Sequence, residues 1–259
     1  MLALGRSAVI AGMAAVMVGL SAGSAAAAPA GIGAAAPAVA PFVGPWAGYI
    51  DANPAAAPVF RLVNAFFRIP PLNCGVTPNA TAIQGVSFDG YLDATMEQAG
   101  VEGTCTHGIP SEQAGWQMPH VPPLFHGQFA PNTGDVVRAT VAYNRQNATY
   151  TLAVTDLNTG QHFAVLKKCA ACDNSSAEVI TQAAPPHGAG GILAGFGKVV
   201  FDNITVSDYG ACPVPRPLVR PACWQTVPAT MAAVPPTHHA TAGPVIGGTQ
   251  FGNVWAAVP

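Results

Sequence analysis

Charge is what this sequence lacks most. Asp, Glu, Lys and Arg make up 8% of its 259 residues, against about 25% in ordinary soluble proteins. Ten basic residues against twelve acidic ones leave a formal net charge of −2. Without a concentrated basic face, nucleic acid and acidic membrane surfaces are excluded as partners. Beyond the N-terminus no apolar run approaches the ~20 residues of a membrane-crossing helix, and no sustained 3.6-residue periodicity appears, so helices should be few and short.

Familiar catalytic signatures are missing too. Gly188–Lys198 is glycine-rich and ends in Gly197-Lys198. It lacks the leading glycine of a phosphate loop, and Val199 stands where that loop needs Ser or Thr, so it reads as a loop feeding a strand. There is no Gly-x-Ser-x-Gly elbow and no Asp-Thr-Gly or Asp-Ser-Gly. His238-His239 has no carboxylate or cysteine nearby in sequence. Nothing calls for a metal or a cofactor.

What is present begins with an export signal. Arg6 is followed by an apolar run from Ala8 to Leu20 and then by Ser24-Ala-Ala-Ala-Ala-Pro29, the order of a secretory signal peptide. Residues 1–28 are expected to be removed near Ala28 and the product to be secreted, with no hold on the membrane. The remaining length, roughly 230 residues, suits one all-β domain with tails. Residues 29–42, almost wholly Ala, Pro and Gly, read as a linker. Residues 209–259 read as a Pro- and Ala-rich tail, mostly irregular beyond 226.

Six cysteines in an exported chain read as disulfides. Cys74 with Cys105, Cys169 with Cys172, and Cys212 with Cys223 are the nearest-neighbour pairings, among several that are possible. Cys169-Ala-Ala-Cys172 could also be half of a zinc site or a redox pair, but no second Cys-x-x-Cys, spaced His pair or βαβ pattern accompanies it.

From Trp46 onward short β-rich runs alternate with turn residues: Ala47–Asp51, Val59–Ile69, Ile83–Phe88, Asp135–Tyr143, Thr149–Asp156, His162–Leu166, Glu178–Thr181 and Lys198–Val206. Their spacing predicts a sandwich or barrel. Asn144–Asn147 reads as a hairpin turn, and Asp156–Gly160 as the next.

Between these runs lies an ordered series: Trp46-Ala-Gly-Tyr49, Phe88-Asp-Gly90, Met96-Glu-Gln-Ala-Gly-Val101, Ala114-Gly-Trp-Gln-Met118, Gly134-Asp135, Asn158-Thr-Gly-Gln161, Ser176-Ala-Glu-Val-Ile180 and Gly195–Phe201. In order and spacing it resembles the glutamic endopeptidases of the eqolisin (G1) family, over about residues 45–206. The resemblance implies an all-β, concanavalin-like β-sandwich of two antiparallel sheets, spanning about residues 43–208, with the site on the concave face of one sheet. It also implies a catalytic Gln and Glu, the Glu acting as general base on a water and the Gln stabilising the oxyanion.

The Gln is matched by Gln98. The Glu is not, because its position in the family segment is occupied by Gln182. A primary amide cannot accept the water's proton, so the substitution removes the base. Gly85 and Gly115 replace family tryptophans, and Gln117 replaces another carboxylate. Trp46, Asp89, Trp116, Gln117 and Glu178 are the remaining candidates for the substrate cleft, with core, turn or supporting roles as the alternatives for Trp46, Asp89 and Glu178.

Three functions follow as expectations. The first is an inactive or weakly active peptidase-like protein, monomeric, binding peptide or unfolded protein in the cleft. The second is an active acid endopeptidase whose base is Glu178, Glu97 or Glu112. The third is an extracellular module binding glycan, by analogy with lectins.

Overall fold

The computed structural model describes residues 40–52, 60–91, 95–169, 172–183, 191–231 and 238–257. The proposed signal peptide and nearly all of the linker lie outside these residues. No helix occurs among the described residues, and every regular element is a strand. Sixteen strands make two packed sheets, as expected when short alternating runs must bury one face each.

The first sheet holds β1 (Phe42–Gly44), β2 (Trp46–Ala52), β4 (Ala80–Phe88), β5 (Glu97–Thr106), β6 (Ile109–Gln117), β7 (His126–Phe129), β11 (Ser176–Gln182) and β14 (Gln225–Met231). Its order is β1-β14-β2-β11-β4-β5-β6-β7. The second holds β3 (Phe60–Arg68), β8 (Val136–Asn144), β9 (Thr149–Asp156), β10 (His162–Lys168), β12 (Lys198–Asp208), β15 (His238–Ala242) and β16 (Phe251–Ala257), with β13 (Arg216–Pro217) on its margin against β12. Its order is β10-β9-β8-β3-β12-β16-β15. All these pairings are antiparallel except β1 with β14.

Alternation explains most strands. Along β9 the residues Tyr150, Leu152, Val154 and Asp156 are buried while those between are half-buried, the period-2 pattern of a one-sided strand. The expected β8–β9 hairpin forms, with its turn at residues 145–148, one residue later than the sequence suggests, since Asn144 still pairs with Thr149. The next turn is tied by Asp156, which accepts from the amides of Asn158 and Thr159 at 2.8 and 3.2 Å. Between the sheets lie Phe60, Phe67, Phe88, Phe201, Phe251, Tyr150 and Leu152, all buried.

The three nearest-neighbour disulfides are the ones formed: Cys74–Cys105, Cys169–Cys172 and Cys212–Cys223. Glu97 lies close to the Cys169–Cys172 sulfurs. Because those sulfurs are disulfide-bonded and not thiolates, the group has no ligand set for a metal ion.

The C-terminal expectation needs correction. The described residues beyond Asp208 do not form an irregular tail. β14 pairs with β2 and β1 in the first sheet, and β16 pairs with β12 in the second. Trp224, Leu218, Ala240 and Phe251 are buried in the common core. Pro228 inside β14 and the surrounding Ala and Thr give this stretch the composition of a linker, while burial on an adjoining sheet overrides propensity. The sandwich therefore runs past residue 208.

Asp51 and Glu112 sit in this frame without a cation among the described residues. Asp51 on β2 is fully buried; one oxygen accepts from the Thr226 hydroxyl at 2.7 Å and the other has no partner. Burial holds its pKa well above the usual range. Burial likewise pushes Glu112 on β6 up to about 8.

Two outcomes test this packing. Truncation after Asp208 should abolish the cooperative thermal transition and the near-UV circular dichroism signal, since it removes β14, β15 and β16 together with the core residues they carry. Both raised carboxyls bind a proton in the folded state that the unfolded chain releases near pH ~4. Their stabilisation is thus complete below that pH and is lost as pH rises, for Glu112 through about 8. Glu112→Gln should raise the melting temperature at mildly alkaline pH by a few degrees and leave it unchanged in acid.

Candidate active site

The ladder registers place the sequence-derived residues face by face. Gln98 on β5 stands opposite Gln117 on β6 and Ser87 on β4, and Ser87 stands opposite Glu178 on β11. Gln182 stands opposite Trp46 on β2 and Ile83 on β4, and Ile83 opposite Glu102 on β5. Directly paired residues share a face and so do residues two apart. Gln98, Glu102, Gln117, Glu178, Gln182 and Trp46 therefore share one face of the first sheet.

Gln98 and Gln182 meet across it. The Gln182 amide nitrogen donates to the Gln98 side-chain oxygen at 3.0 Å. Their ladder positions differ by four residues and two strands, so a flat sheet would hold their Cα atoms about 16 Å apart. That is beyond the reach of two extended glutamines, so the sheet must bend toward this face.

A row rich in glycine runs where the bend is needed, between the Gln98 and Gln182 rows: Gly115, Gly100, Gly85, Ile180, Gly48 and Ala229 on successive strands. A Cβ on Gly85 would overlap the Ala99 carbonyl oxygen, and one on Gly100 would overlap that of Gln84. Only glycine permits strands to approach this closely.

The pair is enclosed. Gln98 is fully buried and Gln182 is 6% exposed. The Gln98 side-chain nitrogen is buried with no partner among the described residues, so within them the site holds an unused donor. On the β2 side, Trp46 packs against Phe42 with ring centroids 5.3 Å apart, and Phe42 meets Tyr91 edge-on at 5.3 Å. With Ile50, Ile180, Val227 and Met96 they form a separate apolar cluster on this face. Trp46 is thus both packed and beside Gln182.

Glu178 shares the face and is buried, with its carboxylate accepting from the hydroxyls of Ser87 at 2.9 Å and of Ser176. Glu97 and Glu112 do not share it. Glu97 precedes Gln98 directly and so points to the opposite side. Glu112 stands opposite Gly103, three residues beyond Gly100, and that odd offset puts it on the opposite side as well. Two cleft assignments also need correction. Trp116 precedes Gln117 and leaves on the other face, where it is 4% exposed, stacks on His126 at 4.0 Å and lies under Lys167 at 4.2 Å. Asp89 is a structural clamp, accepting from the backbone amides of Asn174 and Ser175 at 2.8 and 2.6 Å just ahead of β11.

Glu102 is the residue that sequence reasoning passed over. It lies four residues after Gln98 on one strand, which the period-2 rule alone puts on the same face. Burial raises its pKa above the usual range.

The first sheet of a two-sheet sandwich thus carries a hydrogen-bonded pair of glutamines on one face. Residues 44–216 match the Peptidase A4 family, and the chain belongs to that family. Its fold is similar to that of scytalido-glutamic peptidase solved with a peptide-based transition-state analogue, at 16% identity and TM-score 0.63, covering 82% of this chain and 98% of that one. It is similar also to SCP-B, described as a member of the eqolisin family of peptidases and solved with the tripeptide Ala-Ile-His. There the identity is 17% and the TM-score 0.60, with the same coverage of 82% and 98%. Aspergilloglutamic peptidase from Aspergillus niger matches at 17% identity and TM-score 0.51, over 68% of this chain and 99% of that one. No curated protein matches.

The close approach at the glycine row gives a direct test. Gly100→Ala should destabilise the fold by about 2–3 kcal/mol, as overpacking does, read as a lower denaturant midpoint. Gly85→Trp should be worse, because even its Cβ has no room beside Ala99.

Proposed function

We propose that the chain is an exported, catalytically silent member of the glutamic peptidase family that binds peptide or unfolded protein at the Gln98–Gln182 face without cleaving it. The observation that carries this reading is the amide at position 182, which donates to Gln98 where a general base would have to accept a proton. An amide has no basicity at accessible pH, and its nitrogen here is already committed. The buried, unpartnered nitrogen of Gln98 is the donor that a bound peptide carbonyl would satisfy. Glu102 lies two strands from Gln182 on the same face and adds a polar contact for such a chain. Solved relatives carry a peptide-based analogue and a tripeptide in their own structures.

Export is supported by the signal-like N-terminus and by three disulfides, which persist in oxidising compartments. A base displaced to Glu97, Glu112 or Glu178 is disfavoured by placement, since Glu97 and Glu112 face away and Glu178 is engaged by two serine hydroxyls. Glu102, on the same face, stands about 13 Å along the strand from Gln98.

The test compares the unmodified mature protein with Gln182→Glu on an acid-denatured protein substrate, from acid to neutral pH. The unmodified protein should produce no new termini. Gln182→Glu should gain weak cleavage in acid, because a carboxylate at that position accepts where the amide donates, which turns the Gln98 amide to offer its unused nitrogen. Adding Gln98→Ala should remove that gain. Vigorous cleavage by the unmodified protein would contradict the proposal.

A further inference from the structure

A cavity of about 620 Å³ lies on the outer surface of the second sheet, inside the ~300–1,000 Å³ range of small-ligand sites. Its floor is the outward side of β3, β8 and β9 at Leu62, Ala142 and Thr151, and one wall is the segment Pro213–Pro215.

The walls are held rigidly. Tyr209 donates its hydroxyl to the Tyr143 carbonyl at 2.8 Å and accepts from the Arg145 amide at 2.9 Å. The segment after β12 is fixed by the Cys212–Cys223 disulfide, and by Asp208 accepting from the amides of Gly210 and Cys212 at 2.9 and 2.8 Å. A site that needs no ordering on binding keeps more of its interaction energy.

Charge marks this cavity. The guanidinium carbons of Arg61 and Arg145 lie 5.6 and 5.9 Å from the centre of the Tyr209 ring, within cation–π range. Arg61 spends one donor on the Pro213 carbonyl at 3.1 Å, leaving four of its five. Neither arginine has a carboxylate partner among the described residues. Arg61 lines the cavity, and Arg145, between the lining residues Asn144 and Gln146, flanks it on the same Tyr209 ring. Two cations without a carboxylate partner among the described residues offer charge-assisted donors to a carboxylate.

We propose that this cavity binds an acidic sugar, with the carboxylate of a hexuronate unit on Arg61 and Arg145 and its hydroxyls on the side chains of Asn144, Gln146 and Ser207. The rim favours a sugar over an acidic peptide. β3, β8 and β9 are interior strands whose backbone groups are committed to their ladders, so a peptide main chain would find no edge to pair with. Amide and hydroxyl side chains are what remain, and they match a polyhydroxyl ligand. This site is independent of the Gln98–Gln182 face.

The test is calorimetric titration of the full mature protein with digalacturonate, with neutral digalactose and an Asp/Glu-rich peptide as parallel arms. Digalacturonate should bind saturably and more weakly as salt is added. The exposed pair Arg61→Gln with Arg145→Gln should weaken it ~10-fold or more, with an unchanged melting temperature. Failure of digalacturonate to bind, equal binding of the neutral sugar or of the acidic peptide, or undiminished binding by the double variant would each overturn the proposal.

Discussion

The close approach of β4 and β5 at Gly85 and Gly100 is the constraint on which the site depends. At those positions a single added carbon would strike the neighbouring strand's carbonyl. The strands can therefore come together on the face that carries Gln98 and Gln182, two residues that a flat ladder would keep apart. Their 3.0 Å hydrogen bond is the product of that bend. Glycine at these positions is consequently a structural requirement of this backbone. Placing tryptophan at Gly85 would work against the fold, because even its Cβ would strike the Ala99 carbonyl.

On the proposed reading, the bend carries an amide where a general base would have to stand. A base must hold a lone pair toward the attacking water, and an amide nitrogen that donates to its neighbour does the reverse. Of the carboxyls that might stand in, Glu97, Glu112 and Glu178 are wrongly placed or otherwise used, and Glu102 lies four residues along the strand from Gln98, about 13 Å away. Glu178 is held by serine hydroxyls on the same face, and Glu112 faces the other side of the sheet with a pKa lifted to about 8 by burial. The frame also carries carboxyls that prefer their proton, so the contribution of Asp51 and Glu112 to stability is greatest in acid.

The strands with clean alternation, such as Thr149–Asp156, are legible because period-2 burial leaves a direct trace in the sequence. The pair Gln98 and Gln182 is legible through motif order. β14, β15 and β16 are not, because Pro228 and a run of Ala and Thr imitate a linker until another sheet edge is present to bury them. Trp116 falls outside the cleft for a simpler reason. Motif order groups it with Gln117, yet the two are successive on a strand and must part to opposite faces. The same rule finds Glu102. The bend itself leaves only its glycines in the sequence, and their alignment in one row emerges only from the cross-strand register.

Binding without cleavage is the central claim, and one measurement tests it most directly. The unmodified mature protein is titrated in acid with a soluble unfolded polypeptide while the mixture is followed by mass spectrometry. The account predicts saturable binding with every polypeptide mass intact. New peptide termini appearing in proportion to the protein added, or no binding at all, would contradict it.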